Sequence, residues 1–158
     1  MNVKRFLESH KETDDRINVG LEEIAQLRAL AERTTRYISF DGGSRPKGAV
    51  SDKVGNYAVK IADLEAKIDR EIDRLVDIRE QIEEMASSLG DETQRNVIMR
   101  HYILHEPWEL VAEKLCFSPR HVMRLHRQAL EKLTEMCGER PAAKCVATFF
   151  NGRVHHLG

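Results

Sequence analysis

One pattern limits the fold of this chain more than any other. Val54, Tyr57, Ile61, Leu64, Ile68, Ile72, Leu75, Ile78, Ile82, Met85 and Leu89 recur at steps of three and four. Glu, Asp, Lys and Arg fill the positions between them, so the apolar stripe is narrow, as in a coiled coil. At 1.5 Å per residue such a helix is roughly 50 Å long. A helix of that length with one apolar seam cannot bury the seam by itself. Its partner is either an earlier segment of the same chain folded back on it or a second copy of the chain.

An earlier segment of the right kind exists. Ile17, Leu21, Ile24, Leu27, Leu30 and Ala31, then Tyr37 and Ile38, also fall at steps of three and four, which predicts an amphipathic helix starting near Val3 or near Asp14. Residues 39–53 interrupt it with turn chemistry, Asp41-Gly42-Gly43 and Pro46 to Gly48. A long basic loop between two helices favours a hairpin over residues 1–89, and pairing within the chain and between chains are compatible. The seam residues on which we expect oligomerisation to depend are Ile61, Leu64, Ile68, Ile72, Leu75 and Ile82, with a dimer favoured.

Downstream the elements shorten. Gly90 ends the long helix and Asp91 is placed to cap the next. Val97, Ile98, Tyr102 and Ile103 give that helix its buried side. Pro107 suits the first turn of a further helix, where a missing N–H costs nothing, and Leu110, Val111, Ala112 and Leu115 are its inward residues. Cys116-Phe117 form a turn, Ser118 caps, Pro119 starts the last helix, and Val122, Leu125, Ala129, Leu130 and Leu133 pack it. Three short helices over 91–137 with a tight turn before the last make a helix-turn-helix, whose second helix enters the major groove of DNA. The fold class expected is therefore all-α, a long helical coiled-coil hairpin followed by a three-helix helix-turn-helix domain. Residues 138–158 read as a tail, with only a short apolar run from Val146 to Phe150.

Charge supports the nucleic-acid reading only locally. The formal net charge is −1, which carries no global basic signature. From 118 to 132, however, Arg120, Arg124, Arg127 and Lys132 outweigh Glu131, whereas from 105 to 115 Glu106, Glu109 and Glu113 outweigh Lys114. The three cysteines, Cys116, Cys137 and Cys145, have no framework spacing. The N-terminus is charged and lacks the apolar stretch of a secretory signal, and no apolar run approaches the roughly 20 residues of a membrane span. These features predict a reduced cytoplasmic protein with no membrane partner.

The stretch from Arg95 to Leu133 resembles region 4 of bacterial sigma-70-type factors. The match is R-x-V-I-x-x-x-Y ahead of E-L-V-A-x-x-L, then Ser118, Val122 and A-L-x-K-L at 129–133. It covers about a quarter of the chain, and no sigma region 2 is visible. A coiled-coil front with a sigma-4-like end resembles the phage and prophage regulators of the ArpU and RinA type. That resemblance implies a sequence-specific transcriptional regulator, encoded by a phage or prophage, with double-stranded DNA and RNA polymerase as partners.

Within the motif, Arg120, His121 and Arg124 are the candidates for base contact, because a recognition helix presents its N-terminal outward residues to base edges. Arg binds guanine O6 and N7 bidentately. Ser118, Arg127, Gln128 and Lys132 are the candidates for phosphate contact, which supplies affinity and salt dependence. The alternative for the arginines is a merely solvated helix face. Two other functions share these features: a phage small terminase subunit that binds packaging-site DNA, and an interaction module that binds RNA polymerase without touching DNA.

Other constellations do not carry chemistry. His101, His105, His121 and His126 invite a metal reading, with His101 and His105 four apart, but no Cys pair sits at zinc-finger spacing and Cys145 with His155 and His156 matches no ligand pattern. The acidic run from Asp63 to Glu84 interleaves with Lys60, Lys67, Arg70, Arg74 and Arg79, as on a solvated coiled-coil surface with i,i+4 pairs. No nucleophile with a base is visible and Gly42-Gly43 lacks the rest of a phosphate loop. No enzyme, cofactor or metal is expected.

Overall fold

A computed structural model describes residues 2–40 and 48–138. Every regular element among them is helical: α1 Val3–Phe40, α2 Gly48–Ser87, α3 Glu92–Ile98 continued by a π-helical turn Met99–Ile103, α4 Trp108–Lys114 and α5 Pro119–Gly138. Both long helices extend into the segment 39–53, α1 to Phe40 and α2 from Gly48. The turn residues Asp41 to Pro46 and the tail beyond Gly138 lie outside the described residues. No described helix is long and apolar enough to cross a membrane.

The described residues divide into two compact units, one made of those within Thr13–Arg74 and the other of those within Met1–Glu12 and Leu75–Gly158. In the first, Arg16 pairs with Glu71 at 3.3 Å and Arg28 with Glu65 at 2.7 Å. Numbers rise along α1 as they fall along α2, so the helices run antiparallel there. Ile17, Ile24 and Ile68 are buried between them. Gly20 makes room for Ile68: a Cβ at Gly20 would meet the Ile68 Cγ1 and Cδ1 at 3.0 Å.

The seam on α2 departs from the apolar pattern at one place. Counting three from Ile68 lands on Glu71, not Ile72. The Glu71 side chain is only 23% exposed, whereas Ile72 is 42% exposed. Glu71 tolerates the seam because Arg16 Nε reaches its Oε2 at 3.3 Å, and Arg16 is itself steered by Thr13 Oγ1 at 2.9 Å. Thr13 is fully buried. Of the remaining seam residues, Ile82 is buried and Ile61, Leu64 and Leu75 are half-buried.

The second unit has two apolar clusters. In one, Val3 and Leu7 of α1 meet Ile78, Ile82, Ala86 and Leu89 of the α2 end. Ile98, Tyr102 and Ile103 join it, as do Ala129 and Leu133 of α5. The second joins Val97, Val111, Ala112, Val122 and Leu125, with Trp108 and Leu115 partly covering it. α3 thus serves both clusters through adjacent residues, Val97 and Ile98, each fully buried.

Local chemistry fixes the boundaries. Gly90 takes φ +68, and Asp91 Oδ1 accepts from the N–H groups of Thr93 at 2.9 Å and Gln94 at 3.2 Å. The π turn closes with Leu104 N–H donating to Met99 C=O at 3.2 Å. Its wider turn puts Ile103, five residues on from Ile98, on the same buried side. Pro107 occupies the cap of α4 rather than its first turn, with ψ 154. This is a shift of one residue: its carbonyl accepts from the Val111 N–H at 3.1 Å, and its missing N–H takes no bond from the helix.

A substitution at Gly90 isolates one of these terms. No atom lies within 4 Å of a Cβ built there, so Gly90→Ala pays only for a left-handed backbone. The expected loss is about 1–2 kcal/mol, read as a lower urea midpoint with an unchanged m-value.

Candidate nucleic-acid interface

α4 and α5 are joined through residues 115–118, and the joint is built by backbone bonding. Cys116 adopts φ 58. Its N–H donates to Glu113 C=O at 3.1 Å, and the Phe117 N–H to Ala112 C=O at 2.9 Å. These two bonds are the Schellman termination of a helix, with cysteine at the left-handed position that glycine usually fills. Replacing it should relieve the strain: Cys116→Gly is expected to raise stability by about 0.5–1 kcal/mol, measured by urea unfolding.

Ser118 then starts α5. Its Oγ accepts from the His121 N–H at 3.3 Å, and its carbonyl from the N–H groups of His121 at 2.9 Å and Val122 at 3.1 Å. Pro119 follows at the first helical position, where it gives up no hydrogen bond. The inner side of α5 is core: Val122, Leu125, Ala129 and Leu133 are all buried. Their spacing leaves Arg120, Arg124, Arg127 and Gln128 outward and exposed.

A cleft of about 800 Å³ lies along that outward side. Ser118, Arg120, His121, Arg124 and Arg127 line it, so five of the residues singled out from the sequence come together. Met123 and His126 add to the lining, Lys4 of α1 faces it, and no carboxylate takes part. Within it, Arg124 Nη2 lies 2.9 Å from His121 Nδ1. A guanidinium can only donate, so Nδ1 accepts and the imidazole proton sits on Nε2. His121, ring against Phe117 at 4.8 Å, therefore orients Arg124.

Two residues singled out from the sequence are elsewhere. Gln128 is exposed but does not line the cleft. Lys132 Nζ donates to Gln94 Oε1 at 2.9 Å, tying α5 to α3. Arg127 lies 3.8 Å from Glu131 on the same helix, an exposed pair of the weak kind.

Behind the cleft is an aromatic cluster that sequence reading did not find. His101 stacks on Trp108 with ring centroids 3.6 Å apart. Trp108 in turn packs on His126 at 4.6 Å. Tyr102 Oη lies 2.9 Å from His126 Nε2, and His101 Nδ1 lies 2.9 Å from the Glu106 carbonyl, to which it must donate. Burial, aided by the neighbouring His101 and Lys4, pushes the His126 imidazole down to about 4. Burial also lowers His101, against the bond to Glu106. The Tyr102 phenol is pushed up to about 12 by burial, with Glu8 adding to it. These directions are those of groups held neutral away from water.

Glu106 braces the same region. It is 7% exposed and bonds both Lys114 and Arg100, the latter at 3.2 Å. The Lys114 ammonium, with Arg100 beside it, outweighs burial and holds the Glu106 carboxyl below the usual carboxylate range. Among the described residues, no group of three or more His, Cys, Asp or Glu is arranged to hold a metal ion.

Comparison with protein families, with curated proteins and with solved structures finds no match to this chain.

Proposed function

We propose that this chain is a sequence-specific DNA-binding transcriptional regulator. In this reading α4, the 115–118 turn and α5 are a helix-turn-helix like region 4 of sigma-70-type factors, and α5 is the recognition helix in the major groove. The observation that carries the reading is the cleft: Arg120, Arg124 and Arg127 line one outward side of a helix whose inner side is core, with no carboxylate in the lining. The resemblance over Arg95 to Leu133 supports the same assignment and suggests a phage or prophage origin.

The two long helices then form a helical hairpin that multiplies or anchors the reading head. Between residues 13 and 74, Val19, Leu21, Leu30, Val59 and Ile72 remain well exposed. Apolar side chains left outside an intrachain seam favour pairing with a second copy, and a dimer places two reading heads on adjacent half-sites. RNA polymerase is the second expected partner of this region.

The test is selection of bound duplexes from a random library with the full chain, alongside light scattering. Enrichment of one site by a dimer is the expected result. Enrichment by a ring of many subunits favours a terminase-like packaging role. Failure to enrich any sequence, even at low salt, replaces the reading by protein-only interaction.

A further inference from the structure

The cleft has a second wall, and it belongs to the opposite end of the sequence. Asn2 starts α1, its Oδ1 accepting from the Arg5 N–H at 3.2 Å and its carbonyl from the Phe6 N–H at 3.0 Å. Val3 and Leu7 are 2% and 0% exposed, locked into the cluster that also holds Ala129 and Leu133 of α5. With those two residues buried, the intervening Lys4 is turned outward, its side chain 60% exposed. It lines the same cleft as Arg120, Arg124 and Arg127.

We infer that the first turn of α1 is a phosphate-contacting wall of this cleft and that Lys4 grips the DNA backbone while α5 reads the bases. The inference rests on the DNA-binding reading proposed above. Four cations from two helices converge on a cleft with no carboxylate in its lining, which is the electrostatic footprint of a polyanion. Among the described residues Lys4 pairs with Glu8, at 3.7 Å and 48% exposed. Such exposed i,i+4 pairs are weak and exchange readily for a phosphate oxygen. An ammonium on a flexible stem suits a phosphate, which carries charge but no sequence information. The α1 wall therefore contributes affinity and docking angle, and leaves sequence preference to Arg120 and Arg124.

The experiment measures binding of the full chain to its selected duplex and to an unrelated duplex of equal length, between about 50 and 200 mM salt. Lys4→Gln is compared with wild type and with Lys11→Gln, an exposed lysine of the same helix outside the cleft. Thermal melting checks that each variant is folded. Lys4→Gln is expected to flatten the plot of log K against log salt by about 0.9 and to weaken both duplexes about fivefold near 0.15 M salt. The ratio between the duplexes should stay unchanged, and Lys11→Gln should match wild type. A Lys4→Gln slope equal to that of wild type, or a change that Lys11→Gln reproduces, overturns the inference while leaving DNA binding in place. Wild-type protein that binds neither duplex in a salt-dependent way overturns the DNA-binding reading itself, and the inference with it.

Discussion

Replacing Arg120 and Arg124 together by alanine is expected to erase the preference for the selected duplex, by roughly two to four orders of magnitude. A bidentate arginine–guanine contact is worth about 1–3 kcal/mol of discrimination, and the two sites lie one helical turn apart at the exposed start of α5. Arg124 is already held by His121 at 2.9 Å, so less side-chain freedom is lost when it docks. Binding to an unrelated duplex should survive, because Lys4 and Arg127 remain in the cleft and phosphate contact needs no sequence. Neither arginine packs in the core, so the change in stability should stay within about 0.5 kcal/mol. The measurement is a pair of binding titrations, selected against unrelated duplex, for wild type and double variant. A double variant that still prefers the selected site moves recognition away from α5. A variant that loses both activities equally assigns the arginines to the backbone rather than to bases.

The parts of this molecule that were legible in the sequence are those fixed by local chemistry. Gly90 at φ +68 and Asp91 capping α3 depend only on residues within a few positions, and the same holds for Ser118 and Pro119 at the start of α5. The α2 seam was visible because a long helix must repeat its apolar residues to bury them. Ile72 stands outside the pairing within the chain for a physical reason: Glu71 takes the inward place beside Ile68, where Arg16 and Thr13, far away in sequence, pair with and orient it. A single helix carries no sign of such compensation. The π turn at Met99–Ile103 is equally silent, since it alters the period for one turn only.

The cleft shows the same division. The arginines of α5 announce themselves by spacing, but what they face is set by packing. Lys132 lies on the same basic helix and is instead bonded to Gln94, which depends on where α3 sits. Lys4 enters because Val3 and Leu7 bury themselves beside α5. Spacing alone does not reveal that two of the histidines, His101 and His126, sit in an aromatic stack around Trp108, which depends on how the helices pack.

That stack makes acid a specific threat to the fold. His126 is 7% exposed and its imidazole is held down to about 4 against an ordinary value of 6.5, chiefly by burial. As pH falls below 6.5, the unfolded chain takes up a proton there that the folded chain refuses until about pH 4. The unfolded state binds more protons across this window, so stability is complete above pH 6.5 and falls as pH drops. The loss from His126 is on the order of 3 kcal/mol, and His101, lowered in the same direction, adds to it. Glu106 acts in a different range. Its carboxyl is held below the usual value of 4.5, so its contribution is lost only under more acid conditions. Urea unfolding at pH 7.5 and pH 5, followed by the single tryptophan, Trp108, separates the two. Wild type should lose about 2 kcal/mol between those values. His126→Gln, which keeps a polar partner for Tyr102 but cannot titrate, should start less stable and lose much less. Equal losses in the two proteins would place the acid sensitivity outside this stack. Wild type equally stable at pH 7.5 and pH 5 would leave acid sensitivity to carboxylates such as Glu106, which titrate below that range.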